Sequence, residues 1–142
     1  MTKDKTYRFI EGCMYNYYAN ENRMKELRAR YETLMSVHGH NYEAHVPDSE
    51  SNPVMEVTNS RLKLESSMRK LEEYIRPVKR LHEDLSTKYT EKRQLLSLLE
   101  RKYFKQEGMK SILKELHISQ STYWRRTQEL MRLARKYFCE ED

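Results

Sequence analysis

The sequence predicts an all-α fold, with a long N-terminal helical hairpin or coiled-coil module followed by a C-terminal helix-turn-helix unit. Its 142 residues include three Gly and three Pro, too few for a turn-rich β architecture. Apolar residues instead recur at seven-residue spacing, the pattern of helices that pack along a stripe. Because 35% of residues are charged and the mean hydropathy is −1.02, we expect a soluble chain with a thin core and no deep enzyme pocket.

The first predicted helix is a single long one, from about residue 3 to residue 35. At 1.5 Å per residue it would be roughly 50 Å long, so its apolar stripe needs a second long helix from the same chain or from another copy. Tyr and Asn at several stripe positions predict weak self-association rather than a tight zipper. The stripe has two rows, with Ile10, Tyr17, Met24 and Tyr31 in one and Cys13, Asn20, Leu27 and Leu34 in the other.

Residues 36–56 lose this rhythm and collect Gly, Pro, Ser and acidic residues, a composition typical of a polar linker. His38, His40 and His45 lie within it and are chemically able to bind a divalent metal. A short loop without rigid flanking elements does not fix tetrahedral geometry, however. We therefore predict no metal site here.

A second long helix is predicted from Val57. Pro77 interrupts its pattern and predicts a kink, or a break with a restart near Arg76. Residues 86–90 form the next junction, with Thr90 as the candidate cap of the following helix. The chain is thus divided into residues 1–89, an oligomerisation or interaction module, and residues 90–142. The apolar positions of the second helix are Val57, Leu64, Leu71, Val78 and Leu85, with Met68 and Ile75 beside them.

The segment from residue 91 to residue 138 contains three helical patterns. Gly108 separates the first from the second, which is the short helix MKSILKEL. The apolar face of the first comprises Leu95, Leu96, Leu98, Leu99, Tyr103 and Phe104. In the short helix, Ile112, Leu113 and Leu116 are expected to be buried. Residues 117–119 then form a tight turn before the helix QSTYWRRTQELMRLARKYF, and Ser119 is placed to cap it. This is the helix-turn-helix layout, and Ile112, Leu116, Ile118 and Tyr123 are predicted to lock the two helices together.

Positive charge is concentrated in the same segment. Residues 90–139 contain twelve Lys or Arg against five Glu, whereas residues 1–89 are nearly balanced. A local basic excess indicates a polyanionic partner, and beside a helix-turn-helix pattern that partner is duplex DNA.

If Tyr123, Leu130, Leu133 and Tyr137 face the core, the opposite side of the last helix carries side chains suited to reading bases in the major groove. The predicted base readers are Gln120, Ser121, Trp124, Arg125 and Gln128. The predicted phosphate contacts are Lys110, Ser111, Thr122, Arg126, Arg132, Arg101 and Lys102.

Simpler interpretations compete with this one. A lone Trp is more often packed than exposed, so Trp124 could fill a gap in the core. A basic run is usually a solvated helix face. For the Tyr-rich first helix, packing is favoured over stacking on nucleic acid.

Residues 98–138 resemble the C-terminal region of phage transcriptional activators of the RinA and ArpU type. The shared pattern is the Tyr103-Phe104 pair, Leu116 at the end of a helix, and the Ile-Ser-x-x-Thr sequence of residues 118–122. The resemblance implies a helix-turn-helix similar to region 4 of sigma factors. It also implies a phage or prophage activator of late genes that contacts host RNA polymerase.

Three residues depart from the usual helix-turn-helix pattern. A small residue is more common at Leu113, Gly is more common at the left-handed turn position of His117, and Arg126 stands where an apolar residue is frequent. His tolerates the left-handed conformation better than a branched residue. An Arg at position 126 can rotate the recognition helix slightly about its axis, so the set of base readers is defined to within one residue.

Sequence motifs for catalysis, cofactors or small-molecule substrates are absent, so we do not expect an enzyme. Cys13 and Cys139 lie far apart without a CxxC pair or a signal peptide, and no apolar run is long enough for a membrane span, which favours a reducing cytoplasm. The resemblance to phage activators implies that this is the cytoplasm of a bacterial host. The expected partners are duplex DNA and a second copy of the chain. Two alternatives stay open, a small terminase-like packaging subunit and a helical interaction protein that does not bind DNA.

Overall fold

A computed structural model describes residues 4–39 and 53–139, and most of these residues are helical. Within these ranges there is no β-strand, and the predicted all-α class is confirmed. The α-helices are α1 (Lys5–Tyr15), α2 (Tyr17–Gly39), α3 (Pro53–Thr87), α4 (Arg93–Leu98), α5 (Met109–Leu116) and α6 (Gln120–Phe138), and a π-helical turn at Leu99–Phe104 continues α4.

The predicted first helix is interrupted. Asp4 caps α1 by accepting the backbone N–H of Tyr7 at 2.7 Å. At Asn16 the backbone leaves the helical region (φ −97°, ψ 13°), and α2 begins at the next residue. Asn has a low helix propensity, which is consistent with the break at this position. The expectation of one unbroken helix is therefore wrong at one residue.

The predicted linker is shorter than expected at both ends, because α2 continues to Gly39 and α3 begins at Pro53. Pro is favoured in the first turn of a helix, where its missing N–H has no intrahelical partner. His40 and His45 of the predicted histidine loop lie outside the described residues.

Pro77 does not end the second long helix, since α3 continues through it to Thr87. The helix loses one backbone hydrogen bond there, but the next turns bury Val78, Leu81 and Leu85 almost completely. Thr90 is not a cap, because α4 begins at Arg93 with Lys92 in the capping position. The expected break near Arg76 and the expected Thr90 cap are therefore wrong.

The described residues form two compact units. One comprises those of Met1–Ala19 and Tyr74–Asp142, and the other those of Asn20–Glu73. The first unit therefore holds α1 and the end of α3 together with the C-terminal helices. It extends across the predicted boundary between residues 89 and 90.

The core of the first unit forms where α1 and α6 pack against α4 and the π-helical turn. Ile10, Met14, Leu98, Tyr103 and Leu130 are fully buried there. Hydrogen bonds tie distant segments to this core: the Tyr103 hydroxyl donates to Glu11 at 3.3 Å, the Gln106 amide donates to the Tyr15 carbonyl at 3.0 Å, and Arg135 pairs with Asp4 at 2.8 Å.

In the second unit, Met24 and Leu27 of α2 are buried, as the heptad pattern predicts. The Tyr31 hydroxyl of α2 donates to the Glu65 carboxylate of α3 at 3.1 Å, and Arg61 lies 3.8 Å from the same oxygen. The two long helices therefore contact one another within the chain at this position.

Candidate nucleic-acid interface

A three-residue turn joins α5 to α6. His117 ends α5 in the left-handed conformation, with φ 55° and ψ 47°. The N–H of Ile118 donates to the carbonyl of Leu113 at 3.2 Å, which satisfies an end carbonyl of α5. Ser119 is extended, and its hydroxyl accepts the N–H of Thr122 at 3.2 Å. The predicted bounds of both helices and the predicted Ser119 cap are confirmed.

The residues predicted to lock α5 to α6 are buried to different extents. Ile112 and Tyr123 are 0% and 3% exposed and lie in the core. Leu116 and Ile118 are only partly buried, and so is Leu113, which was expected inside. Ile112 is therefore the one fully buried side chain of the eight-residue helix α5.

One face of α6 is sealed in the core. The Thr127 hydroxyl is satisfied there because it donates to the Tyr123 carbonyl one turn earlier at 2.8 Å. Leu133, expected on this face, is partly buried. Burial raises the pKa of the Tyr123 hydroxyl, and the nearby Tyr15 raises it further. The buried residues of α6 are Tyr123, Thr127, Leu130, Met131, Ala134 and Tyr137.

The five predicted base readers lie toward the N-terminal end of α6 and are not buried. Ser121, Arg125 and Gln128 lie opposite the buried face, whereas Trp124 lies at its edge and Gln120 lies on the side of Tyr123 at the start of the helix. Gln120, Ser121, Trp124 and Arg125 are exposed and Gln128 is partly exposed. The Trp124 side chain is 46% exposed, so it does not fill a core gap. These residues extend over the first turns of α6, where no acidic residue occurs in the first turn.

The predicted phosphate contacts fall into two groups. Lys110, Ser111 and Arg132 are exposed beside the base readers in sequence. Thr122 is partly buried and lies 3.0 Å from the Ser119 hydroxyl and 3.4 Å from Arg125 through its own hydroxyl oxygen. These four positions present their polar groups at the surface of α5 and α6.

Two of the predicted arginines already pair with acidic side chains. Arg126 donates from Nε to Gln94 at 2.9 Å and from Nη1 to Glu129 at 2.6 Å. Arg101 donates to Glu107 at 3.3 Å, and Ser111 donates to the same carboxylate oxygen. Ion pairs that retain solvent contact are weak, so a phosphate that approaches can compete for these guanidinium groups.

Lys102 is not at the surface, and its assignment as a phosphate contact is wrong. It is 8% exposed, and its ammonium nitrogen lies 4.9 Å from the centre of the Tyr123 ring and 5.2 Å from the rings of Tyr103 and Trp124. The π-helical turn directs Lys102, Tyr103 and Phe104 inward in succession. A straight α-helix turns 100° per residue and does not place three consecutive side chains on one side.

Three exposed basic residues of the same segment, Lys105, Lys114 and Lys136, were not among the predicted contacts. The signal for them in the sequence was the general basic excess of residues 90–139, which does not rank individual positions.

The N-terminus of α6 adds a partial positive charge from its backbone, which favours anions near its first turn.

Residues 4–39 and 53–139 bring together no group of three or more His, Cys, Asp and Glu side chains able to hold a metal ion. In the same ranges, each helix is either too short or too polar to cross a lipid bilayer. Comparison with protein-family models, curated proteins and solved structures finds no match to this chain.

Proposed function

We propose that this protein binds duplex DNA sequence-specifically and regulates transcription, with α5, residues 117–119 and α6 acting as a helix-turn-helix. The observation that carries the proposal is the division of α6 into a buried face and an exposed polar face at its N-terminal end. Recognition helices of this class insert their N-terminal residues into the major groove. The exposed face of α6 has the chemistry for that role.

Each exposed side chain has a counterpart on a base edge. Gln120 and Gln128 can pair with the N6 and N7 atoms of adenine, and Arg125 can donate two hydrogen bonds to O6 and N7 of guanine. Trp124 offers an apolar surface to a thymine methyl group or a deoxyribose. Lys110 and Arg132 neutralise phosphates and fix the position of α6 on the duplex.

The long helices are the part of the chain that we expect to pair with a second copy. In the second unit, stripe residues of α2 and α3 are only partly buried within one chain, among them Tyr31, Leu34, Leu64, Met68 and Leu71. Burial of the remaining apolar surface against another chain favours self-association. We propose a homo-oligomer in which two copies read two half-sites.

The resemblance of residues 98–138 to RinA- and ArpU-type activators supports a more specific biological role. On that basis we propose a phage or prophage activator of late genes that acts in the bacterial cytoplasm and contacts host RNA polymerase. We propose no enzymatic activity, cofactor or small-molecule substrate.

The test is to select fragments of the source genome on the full chain and to titrate the best-bound duplex by fluorescence anisotropy at 50 and 200 mM salt. We expect saturable binding, with the logarithm of the association constant falling linearly with the logarithm of the salt concentration. Absence of binding at the lower salt concentration would overturn the proposal.

Two outcomes of the same preparation would point to the alternative functions. A solution mass well above that of a tetramer, in a ring that binds DNA, would favour a small terminase-like subunit. Stable binding to another helical protein, with no salt-sensitive affinity for DNA, would favour a pure interaction protein.

A further inference from the structure

The only tryptophan of the chain lies at the candidate interface and in contact with a buried lysine. Trp124 is 46% exposed, yet its ring lies 5.2 Å from the Lys102 ammonium nitrogen and 5.1 Å from the Tyr123 ring, at an interplanar angle of 77°. One side of the indole is therefore held by protein and the remainder faces solvent.

Lys102 has an unusual environment for a lysine. Lysines are almost never fully buried unless paired, and this one is 8% exposed. Its ammonium nitrogen lies within 5.2 Å of the centres of three aromatic rings, those of Tyr103, Tyr123 and Trp124. A cation within about 6 Å of an aromatic ring face is attracted by the ring quadrupole, and the attraction strengthens when the cation is desolvated.

The two flanking tyrosines are themselves fixed. Tyr103 is fully buried, packs edge-on against Tyr15 at 4.7 Å and donates its hydroxyl to Glu11 at 3.3 Å. Tyr123 is 3% exposed on the core face of α6. Lys102 therefore lies against two buried rings and against the half-exposed ring of Trp124.

We propose that Lys102 is a positioning residue that holds the Trp124 indole in one orientation for contact with the apolar edge of a base pair. The inference rests on the proposed function for its DNA part. Side chains that enter an interface already ordered lose less conformational entropy on binding. Lys102 thus contributes to base selection without touching DNA.

The experiment replaces Lys102 in the full chain and first measures the free protein. Lys102→Met keeps the length of the side chain and its packing against aromatic rings but removes the charge. Because Trp124 is the only tryptophan, fluorescence excited at wavelengths that the eleven tyrosines do not absorb reports this side chain alone. We expect a shifted emission maximum, faster local anisotropy decay and greater acrylamide quenching than in the wild type.

Two variants serve as controls. Lys105→Met removes an exposed lysine three residues away and should leave the fluorescence of Trp124 unchanged. Lys102→Arg retains a cation able to lie over an aromatic ring and should restore most of the wild-type signal. If circular dichroism shows that Lys102→Met loses helicity, Lys102→Gln takes its place.

The second measurement uses the best-bound genomic duplex and its single base-pair variants. Trp124→Ala identifies the position that Trp124 reads, and Lys102→Met should reduce preference at that same position by roughly three- to tenfold. The double variant should lose no more than Trp124→Ala alone, because Lys102 acts through the indole. Unchanged fluorescence in Lys102→Met, or losses that simply add in the double variant, would overturn the inference.

The two proposals fail in different ways. A wild-type chain that binds no duplex would overturn the proposed function and the role of Trp124 in DNA recognition together. The fluorescence of the free protein would still decide the contact between Lys102 and Trp124. Normal DNA binding with unaltered fluorescence in Lys102→Met would overturn the positioning role alone.

Discussion

The Ser119 hydroxyl accepts the backbone N–H of Thr122 at 3.2 Å and closes the first turn of α6. The same oxygen lies 3.0 Å from the Thr122 hydroxyl and 3.2 Å from the Ser121 hydroxyl. This capping bond fixes the start of the helix that carries the predicted base readers.

Ser119→Ala should lower the free energy of unfolding by about 1 kcal/mol, because it leaves a backbone donor of α6 without its side-chain acceptor. Urea titration followed by circular dichroism measures the change. Ser119→Asp, which retains a capping oxygen and adds favourable charge at the helix N-terminus, should remain close to the wild type. Equal stability of the Ala and Asp variants would show that the cap contributes nothing.

Arg125→Ala and Lys110→Ala should weaken DNA binding in different ways. Arg125 is exposed on the base-reading face, so its loss should relax preference at one position and cost roughly 1–3 kcal/mol there. Lys110 is exposed on α5, so its loss should weaken binding to all sequences alike and reduce the salt slope by roughly 1. Binding titrations on the selected duplex and its variants separate the two effects. The same behaviour in both variants would contradict the assignment of Arg125 as a base reader.

His117→Gly should raise the free energy of unfolding by about 1 kcal/mol, because His117 has φ 55° and a side chain in this region strains the backbone. Denaturant unfolding measures the gain. Glu115→Gly, at an exposed position inside α5, is the matched control and should lower stability by about 1 kcal/mol. A destabilised His117→Gly variant would mean that the imidazole makes a contribution larger than the strain.

Stability should fall as the pH rises above 10. Burial raises the pKa of the Tyr103 and Tyr137 hydroxyls above the ordinary value of 10.0, and the Glu11 and Asp84 carboxylates raise it further. A group whose pKa is higher in the folded state stabilises the fold below its unfolded pKa, and this stabilisation is lost as pH rises through the folded pKa. Unfolding free energies between pH 8 and about 11 measure the loss. Tyr137→Phe should flatten part of the curve, and an unchanged curve would contradict the role of Tyr137.

The sequence predicted local structure best where side chains and backbone signals agree. The bounds of α5 and α6 follow from Ser119 and from an apolar pattern that ends at Leu116, and both are confirmed. Predictions from a single residue were weaker. Pro77 does not end α3, because burial of the following turns outweighs one lost hydrogen bond, and Asn16 interrupts a helix despite an unbroken apolar stripe.

The candidate site shows the same limit. Exposure of Arg125 follows from the helical period of α6, which places it opposite the buried face. Trp124 lies at the edge of that face, three residues before the buried Thr127. Burial of Lys102 does not follow from the sequence, because an ordinary helical period does not place three consecutive residues on one face. A rule based on charge alone predicts that every lysine is exposed, whereas the π-helical turn places Lys102 among the buried residues.

The number of residues in the π-helical turn sets the orientation of the residues that follow it. A π-helical turn holds one residue more than the α-helical turn it replaces, so it accommodates one additional residue within the helix. Leu95 and Leu98 before it and Phe104 at its end are all buried. Deletion of one residue from this turn would therefore rotate the residues that follow it by about 100° about the helix axis.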